Sequence, residues 1–481
     1  MNALNGSATR KPRRACGDKG RNKRRTSSFP GSPALRAESF TSPLLTDLYQ
    51  LTMLEAYLRE GMEATAAFEF YVRDLPADRG FLVASGLESL LSFLENLSFS
   101  SEEIAYLAGT GRFSRRLLDC LTAFRFTGDL YALPEGTVFF PNEPMIRVVA
   151  PIPQAQFVET RAINLLHFET LIATKAARCV LAADGKALLV DFGLRRAHGA
   201  EAGLLAARAT RITGFAGTSN VLAGARYGIP IFGTMAHSYI EAHETEEEAF
   251  IAYARANPAN VTLLIDTYDI LRGARTAAGA AKKLAAEGIR TRAVRLDSGD
   301  ILTLSKEVRS LLDKDGLKEV QIFVSGNLDE RGIRELLALG APVNGFGVGT
   351  KLDTSEDAPY LECAYKLVEY AGRPRLKTSK GKATLPGRKQ IFRRTNKGVI
   401  SGDTITLDQE RADGEPLLRK VMEKGRRLET APDLAAISRY TREQLGALPE
   451  NLRRLETDPP YDVRISPALH RLREETRKLH E

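Results

Sequence analysis

Between residues 187 and 348 short apolar stretches alternate with Ala-rich stretches, and this alternation limits the fold more than any other feature of the chain. The apolar stretches are 187–192, 214–216, 229–233, 261–265, 291–296, 320–324 and 343–348. The segments between them, such as 200–211, 246–256 and 271–287, have helical character. A strand, a helix and another strand at this spacing make βαβ units, and βαβ units make a parallel sheet. Seven such units fit a closed barrel better than an open sheet. The expected fold class is α/β: an irregular α/β barrel, or one a unit short, with a second α+β domain built from the N- and C-terminal segments.

The flanking segments lack this alternation. Residues 44–60 carry Leu48, Leu51, Leu54 and Leu58 at helical spacing, with Gly61 after them. A strand at 66–72, a helix at 86–96 and a turn-rich β segment at 131–149 follow, and 157–178 reads as a helix. After 364 the segments 365–375, 384–394 and 398–407 are β-like, and 409–481 is charged and expected to be mostly helical or irregular. The expected division is a disordered basic tail (1–41), an N-terminal α+β domain (42–155), a barrel (156–364) and a C-terminal segment packed on the N-terminal domain (365–481).

The net charge of +8 is a property of the tail. Residues 1–30 hold nine Lys and Arg and one acid, Asp18, so the remaining chain is balanced. With Gly, Ser and Pro and no apolar period, this tail is expected to be disordered. It suits a nucleic-acid arm, a transit-type presequence or a dispensable extension, and it has no apolar core of a secretory signal. The working expectation is that no nucleic acid is bound. No run approaches the roughly 18 apolar residues of a membrane span, so no membrane partner is expected. The four cysteines, at 16, 120, 179 and 363, form no CxxC pair. A reducing compartment, the cytoplasm, fits that usage.

In parallel α/β proteins chemistry sits where strands run out into loops. The stretch 214–240, GFAGTSNVLAGARYGIPIFGTMAHSYI, places His237 at such an end beside Thr234 and Ser238. A lone histidine there is either a satisfied core residue or a nucleophile or proton relay. His243, six positions on, would face another side of a helix, which argues against zinc. Gly326, Gly347 and Gly349 let backbone N–H groups approach an anion, or simply make turns. Asp297 and Asp300 suit ribose hydroxyls or Mg²⁺, or cap a helix together with Ser298. Arg195 and Arg295 suit a substrate carboxylate or phosphate, or pair with a neighbouring aspartate.

Together these segments resemble one family. TDLYQLTM (46–53), DFGLRRA (191–197), GTSNVLAG (217–224), GTMAHS (233–238), DTYD (266–269), VRLDSGD (294–300), SGN (325–327), GFGVGTKL (345–352) and KQIF (389–392) stand in the order found in nicotinate phosphoribosyltransferases. The resemblance implies a barrel of the type II phosphoribosyltransferase kind. It implies joining of nicotinate to 5-phosphoribosyl 1-diphosphate, giving nicotinate mononucleotide and diphosphate, the first step of NAD salvage from nicotinate. ATP hydrolysis would drive the step through a phosphohistidine at His237, with Mg²⁺ as cofactor. Catalytic roles fall on His237, Asp297 and Arg295.

By the same resemblance Thr234, Arg295 and their neighbours Arg195 and Ser238 belong to the nicotinate site. Phe192 stacks on one face of the pyridine, and Tyr49 of the neighbouring subunit on the other, so a homodimer with shared active sites is implied. Asn220 is implied to avoid repelling the substrate carboxylate. Asp297, Ser298, Gly326, Asn327, Gly347, Gly349 and Thr350 belong to the phosphoribosyl diphosphate site. Rival readings are a nicotinamide or quinolinate phosphoribosyltransferase and an inactive nucleotide-binding barrel.

Overall fold

The computed structural model describes residues 39–379, 382–456 and 461–479. The expected disordered tail lies, up to residue 38, outside the described residues.

Six strands form a parallel sheet in the order Gly217–Thr218, Leu188–Asp191, Gly345–Val348, Gln321–Ser325, Thr291–Leu296, Val261–Leu264. Ile231 adds a seventh station through a parallel bridge to Thr218. The seven stations therefore follow chain order around the ring, and the last expected strand pairs with the first, Val348 opposite Asp191. The ladder is open on one side only, between Ile231 and Val261–Leu264. Buried aliphatic side chains, among them Val294, Ile322, Val324 and Val348, fill the core beneath the surrounding helices.

Two of the expected strands differ in detail. The 214–216 strand forms later, at Gly217–Thr218. Gly214, with φ +122°, closes the helix Ala200–Thr213 instead. A Cβ at Gly217 would lie 2.2 Å from the Pro230 carbonyl oxygen, so the close approach of the third station requires glycine. The 229–233 stretch gives one bridge rather than a ladder; Pro230 has no N–H to donate. Other elements lie near their expected places: Leu48–Glu60 closed by Gly61 at φ +67°, Thr65–Val72, Leu87–Asn96 and Ile270–Ala286.

A seven-stranded antiparallel sheet takes strands from both sides of the barrel sequence. Thr65–Val72 lies between Cys363–Tyr370 and Ile146–Pro151. Asp129–Ala132 and Arg419–Glu423 extend it. This shared sheet is the second α+β unit, built from the two ends of the chain. The largely buried helix Glu159–Ala183 joins the two units, touching Ala200–Thr213 and Glu330–Ala338 of the barrel as well as Leu82–Val83 and Cys363–Tyr370. Lys389 Nζ meets Glu69 Oε2 at 2.8 Å in this interior, so the buried charges are paired.

The closing segment carries more strand than expected. Arg419–Glu423 and Arg426–Arg427 form a hairpin, and Val463–Ile465 joins the sheet of Lys389–Asn396 and Val399–Leu407. The high charge of 409–481 masked these strands, because their outward positions dominate the composition. Among the described residues no helix is long and apolar enough to cross a membrane. Cys120, Cys179 and Cys363 are free thiols.

Candidate active site

A cavity of about 310 Å³ opens at the C-terminal ends of the barrel strands. Phe192, Arg195, Ser219, Thr234, His237, Arg295 and Asp297 line it. They come from the ends of four stations, Leu188–Asp191, Gly217–Thr218, Ile231 and Thr291–Leu296, which is why no short segment of the sequence contains the site.

Arg295, at the end of Thr291–Leu296, is the most constrained group. Its Nε donates to Ser325 Oγ at 2.8 Å, one terminal nitrogen to Thr234 Oγ1 at 3.2 Å and the other to Asp297 Oδ1 at 2.8 Å. Its guanidinium carbon lies 5.5 Å from the centre of the Phe192 ring. The arginine is thus fixed as a plane over an aromatic face. Burial opposes ionisation of Asp297, but the Ser325 hydroxyl and Arg295 outweigh it and hold the carboxyl below its ordinary range. Arg195, by contrast, is exposed and has no ion-pair partner among the described residues.

His237 begins the short helix His237–Glu241, its ring part-exposed to the cavity. Nδ1 lies 3.1 Å from Thr267 Oγ1 and Nε2 lies 3.9 Å from Asp266 Oδ1. Asp266 Oδ2 accepts from the Asp297 N–H at 3.0 Å and from Ser298 Oγ at 2.6 Å, while its buried Oδ1 has no hydrogen-bond partner. Asp266 and Thr267 are the residues that sequence reasoning left unassigned. Their signal was the DTYD run at a strand end, next to an imidazole that needs an orienting partner.

The glycine cradles sit beside this cavity. Ser325 lies opposite Gly347 on adjacent strands, so the loops that follow are neighbours. Gly326 has φ +94° and a Cβ there would lie 2.1 Å from the Asp297 carbonyl oxygen. Asn327 takes φ +49°. A Cβ at Gly347 would meet the Phe192 ring at 2.5 Å, and Gly349 backs onto the Phe192 carbonyl. Thr350 and Ser298 are exposed on this rim and Ser238 is exposed one residue after the imidazole.

Two of the expected residues, Asp300 and Asn220, are engaged within the fold instead. Asp300 caps the helix Ile301–Lys314 by accepting from the Thr303 N–H at 3.3 Å. Asn220 is buried, with Oδ1 accepting from the Ala223 N–H and Nδ2 donating to the Gly203 carbonyl. Both ends of its amide are used by the protein, and its neighbour Ser219 reaches the cavity instead. Tyr49 is exposed on the first helix, away from the cavity lining of its own chain.

Three family models match in succession: the nicotinate phosphoribosyltransferase N-terminal domain over 44–167, the nicotinate phosphoribosyltransferase family over 187–409 and the C-terminal domain over 411–473. A nicotinate phosphoribosyltransferase of Mycobacterium tuberculosis is 49% identical, covering 88% of this chain and 91% of its own length. The chain belongs to the nicotinate phosphoribosyltransferase family. The Bacillus subtilis enzyme of that name is 36% identical over 88% of this chain and 92% of its own. The crystal structure of human nicotinic acid phosphoribosyltransferase superposes with a TM-score of 0.79 at 30% identity, covering 89% of this chain and 99% of that one. A nicotinate-nucleotide pyrophosphorylase from Pyrococcus furiosus superposes with a TM-score of 0.70 at 27% identity over 86% of this chain and 97% of that one. The irregular barrel with its second α+β unit is the architecture of these family members.

Proposed function

We propose that this chain joins nicotinate to 5-phosphoribosyl 1-diphosphate, forming nicotinate mononucleotide and diphosphate, coupled to ATP hydrolysis. The observation that carries the reading is the gathering of His237, Arg295, Asp297 and Phe192 around one cavity, with two glycine turns beside it.

Phe192 offers a flat face for the pyridine and Arg295 a fixed cation for its carboxylate. Arg195, unpaired, meets a phosphate, and the exposed backbone at Gly326, Asn327, Gly349 and Thr350 receives the phosphoribosyl group. The ring nitrogen of nicotinate attacks the anomeric carbon as diphosphate leaves. Positive charge develops on the ribose, so positioning and a nearby carboxylate, Asp297, contribute most.

The residues present fit a Mg²⁺ that arrives with the diphosphate. Such an ion needs only one or two carboxylates besides phosphate oxygens and water. Among the described residues no cluster of three His, Cys, Asp or Glu side chains is arranged to hold a metal alone. Asp297 would be the protein ligand, since Asp300 is spent on its helix cap. When bound, the ion neutralises the diphosphate charge.

ATP acts at His237. The unpartnered Asp266 oxygen favours a proton on Nε2, which leaves the Nδ1 lone pair, beside Thr267, to attack the γ-phosphorus while ADP departs. Hydrolysis of the phosphoimidazole releases phosphate and restores the histidine. Tyr49, exposed with Leu48 at the start of the first helix and close to exposed Leu45 in the turn before it, serves the cavity of a second copy, so the working unit is a homodimer, which we place in the cytoplasm.

The test is a panel of nicotinate and nicotinamide with 5-phosphoribosyl 1-diphosphate, with and without ATP. Nicotinate preference and stimulation by ATP are expected. Equal use of nicotinamide, or indifference to ATP, overturns the reading.

A further inference from the structure

Two carboxyls outside the cavity lining remain unexplained by that chemistry. Asp191 ends the first barrel strand and Asp353 ends the helical turn Thr350–Asp353 that follows the last one. Both are fully buried. Their strands pair directly, with Val348 opposite Asp191 and the Phe192 N–H donating to the Val348 carbonyl at 2.8 Å.

Their surroundings are unequal. Asp191 Oδ1 accepts from the Gly193 N–H at 2.8 Å and Oδ2 from the Thr218 hydroxyl at 2.6 Å. Neither oxygen of Asp353 has a donor. The Asp353 carboxyl fills the space against Gly193, where a Cβ would come within 2.1 Å of it. Burial and the facing Asp191 raise Asp353 well above the ordinary carboxyl range, and burial raises Asp191 as well. Cations on the helices packed around the pair are engaged elsewhere: Lys175 with Glu330 and Asp357, Arg178 with Glu330, Arg208 with Glu135 and Glu169. His167 accepts from the Leu361 N–H, and Arg195 and Arg196 are exposed.

A buried carboxylate with no donor and no cation is too costly to persist ionised. Two carboxyls in contact cannot both ionise in such a site. We propose that Asp191 and Asp353 share one proton, Asp353 donating to an ionised Asp191, and that this hydrogen bond is a clip that positions two walls of the active site. One end carries the Phe192–Arg195 turn and the other carries the Gly349–Thr350 loop. An O–H to carboxylate bond in a dry setting is among the stronger hydrogen bonds. Loss of the proton at high pH places two like charges together and drives the walls apart.

The inference rests on the phosphoribosyltransferase reading for its kinetic arm only. In the full-length protein at neutral pH, the difference infrared spectrum of wild type minus Asp353→Asn is expected to show the carbonyl stretch of one buried, protonated carboxylic acid. An asparagine keeps the shape and the donor but cannot titrate. Asp353→Asn therefore loses the alkaline decline in kcat/KM for 5-phosphoribosyl 1-diphosphate that the wild type shows. Asp353→Ala, which removes the donor, raises KM for that substrate roughly tenfold or more with less change in kcat, as expected for misplaced binding walls. A difference spectrum without that acid band, or an Asp353→Asn profile with the alkaline limb intact, overturns the proposal. The infrared arm stands even if nicotinate proves not to be the substrate, so the two readings fail separately.

Discussion

Asp266 holds an unpartnered, buried carboxylate oxygen 3.9 Å from Nε2 of His237. The same residue anchors the Asp297 backbone and the Ser298 hydroxyl through its other oxygen. It therefore connects His237 to the strand end that carries Asp297. Asp266→Asn is expected to slow transfer of labelled γ-phosphate from ATP to the protein by roughly 10²-fold, the scale of losing a proton-holding partner. His237→Ala abolishes that label and the ATP stimulation while some ATP-independent turnover remains. Labelling of the His237→Ala protein at the wild-type level would refute the assignment.

Arg195 is the cation of the cavity left without a carboxylate, whereas Arg295 is bound to Asp297. Arg195→Ala should lower kcat/KM for 5-phosphoribosyl 1-diphosphate by about 10- to 100-fold, the value of one charge-assisted hydrogen bond. Added salt should weaken the wild type more than the variant. Equal kinetics for the two proteins would remove Arg195 from the site.

Gly326 combines φ +94° with a carbonyl oxygen 2.1 Å from where a Cβ would stand. Gly326→Ala is expected to cost about 1–3 kcal/mol of stability and to raise KM for the phosphoribosyl substrate. Thermal unfolding and steady-state kinetics measure the two effects. A variant with unchanged KM would mean that this turn does not receive the phosphate.

Ser219 reaches the cavity while Asn220 faces inward. Ser219→Asp puts a negative charge before a carboxylate substrate, so nicotinate use should fall more than nicotinamide use. Competition between the two substrates, followed by product analysis, reads the ratio directly.

Glu169 has a consequence for stability. Burial raises it from an ordinary 4.5 to about 7, against the pull of Arg208 and with the charge of Glu135 adding to the rise. The folded state then binds a proton that the unfolded state releases, so stability falls as pH rises from about 4.5 to about 7, by at most about 1.4 kcal/mol per pH unit. Glu169→Gln should flatten that component. Denaturant midpoints at about pH 5 and pH 7 compare the slopes. An unchanged slope in the variant would place the titration elsewhere.

The barrel was legible because its strands bury most of both faces, so 187–192, 261–265 and 320–324 stand out as largely apolar runs. The strand at 217–218 was read too early because Phe215, fully buried, belongs to the loop before it. Charged edge strands such as Arg419–Glu423 hid in a charged segment. At the site, residue types and strand ends were visible, but side-chain direction was not. Asn220 and Ser219 differ by one position along an extended chain, which sends them to opposite faces. Asp266 was quoted in a motif, and only its distance to His237 gives it a role. The Asp191–Asp353 contact joins residues that no local pattern links.

The ring of strands is laced everywhere except between Ile231 and Val261–Leu264. The segment Gly233–Ala236, which carries the backbone into His237, runs along that gap. Displacing it breaks no ladder, so the loop that carries His237 has room to move while the Gly326 and Gly349 turns, on paired strands, stay still.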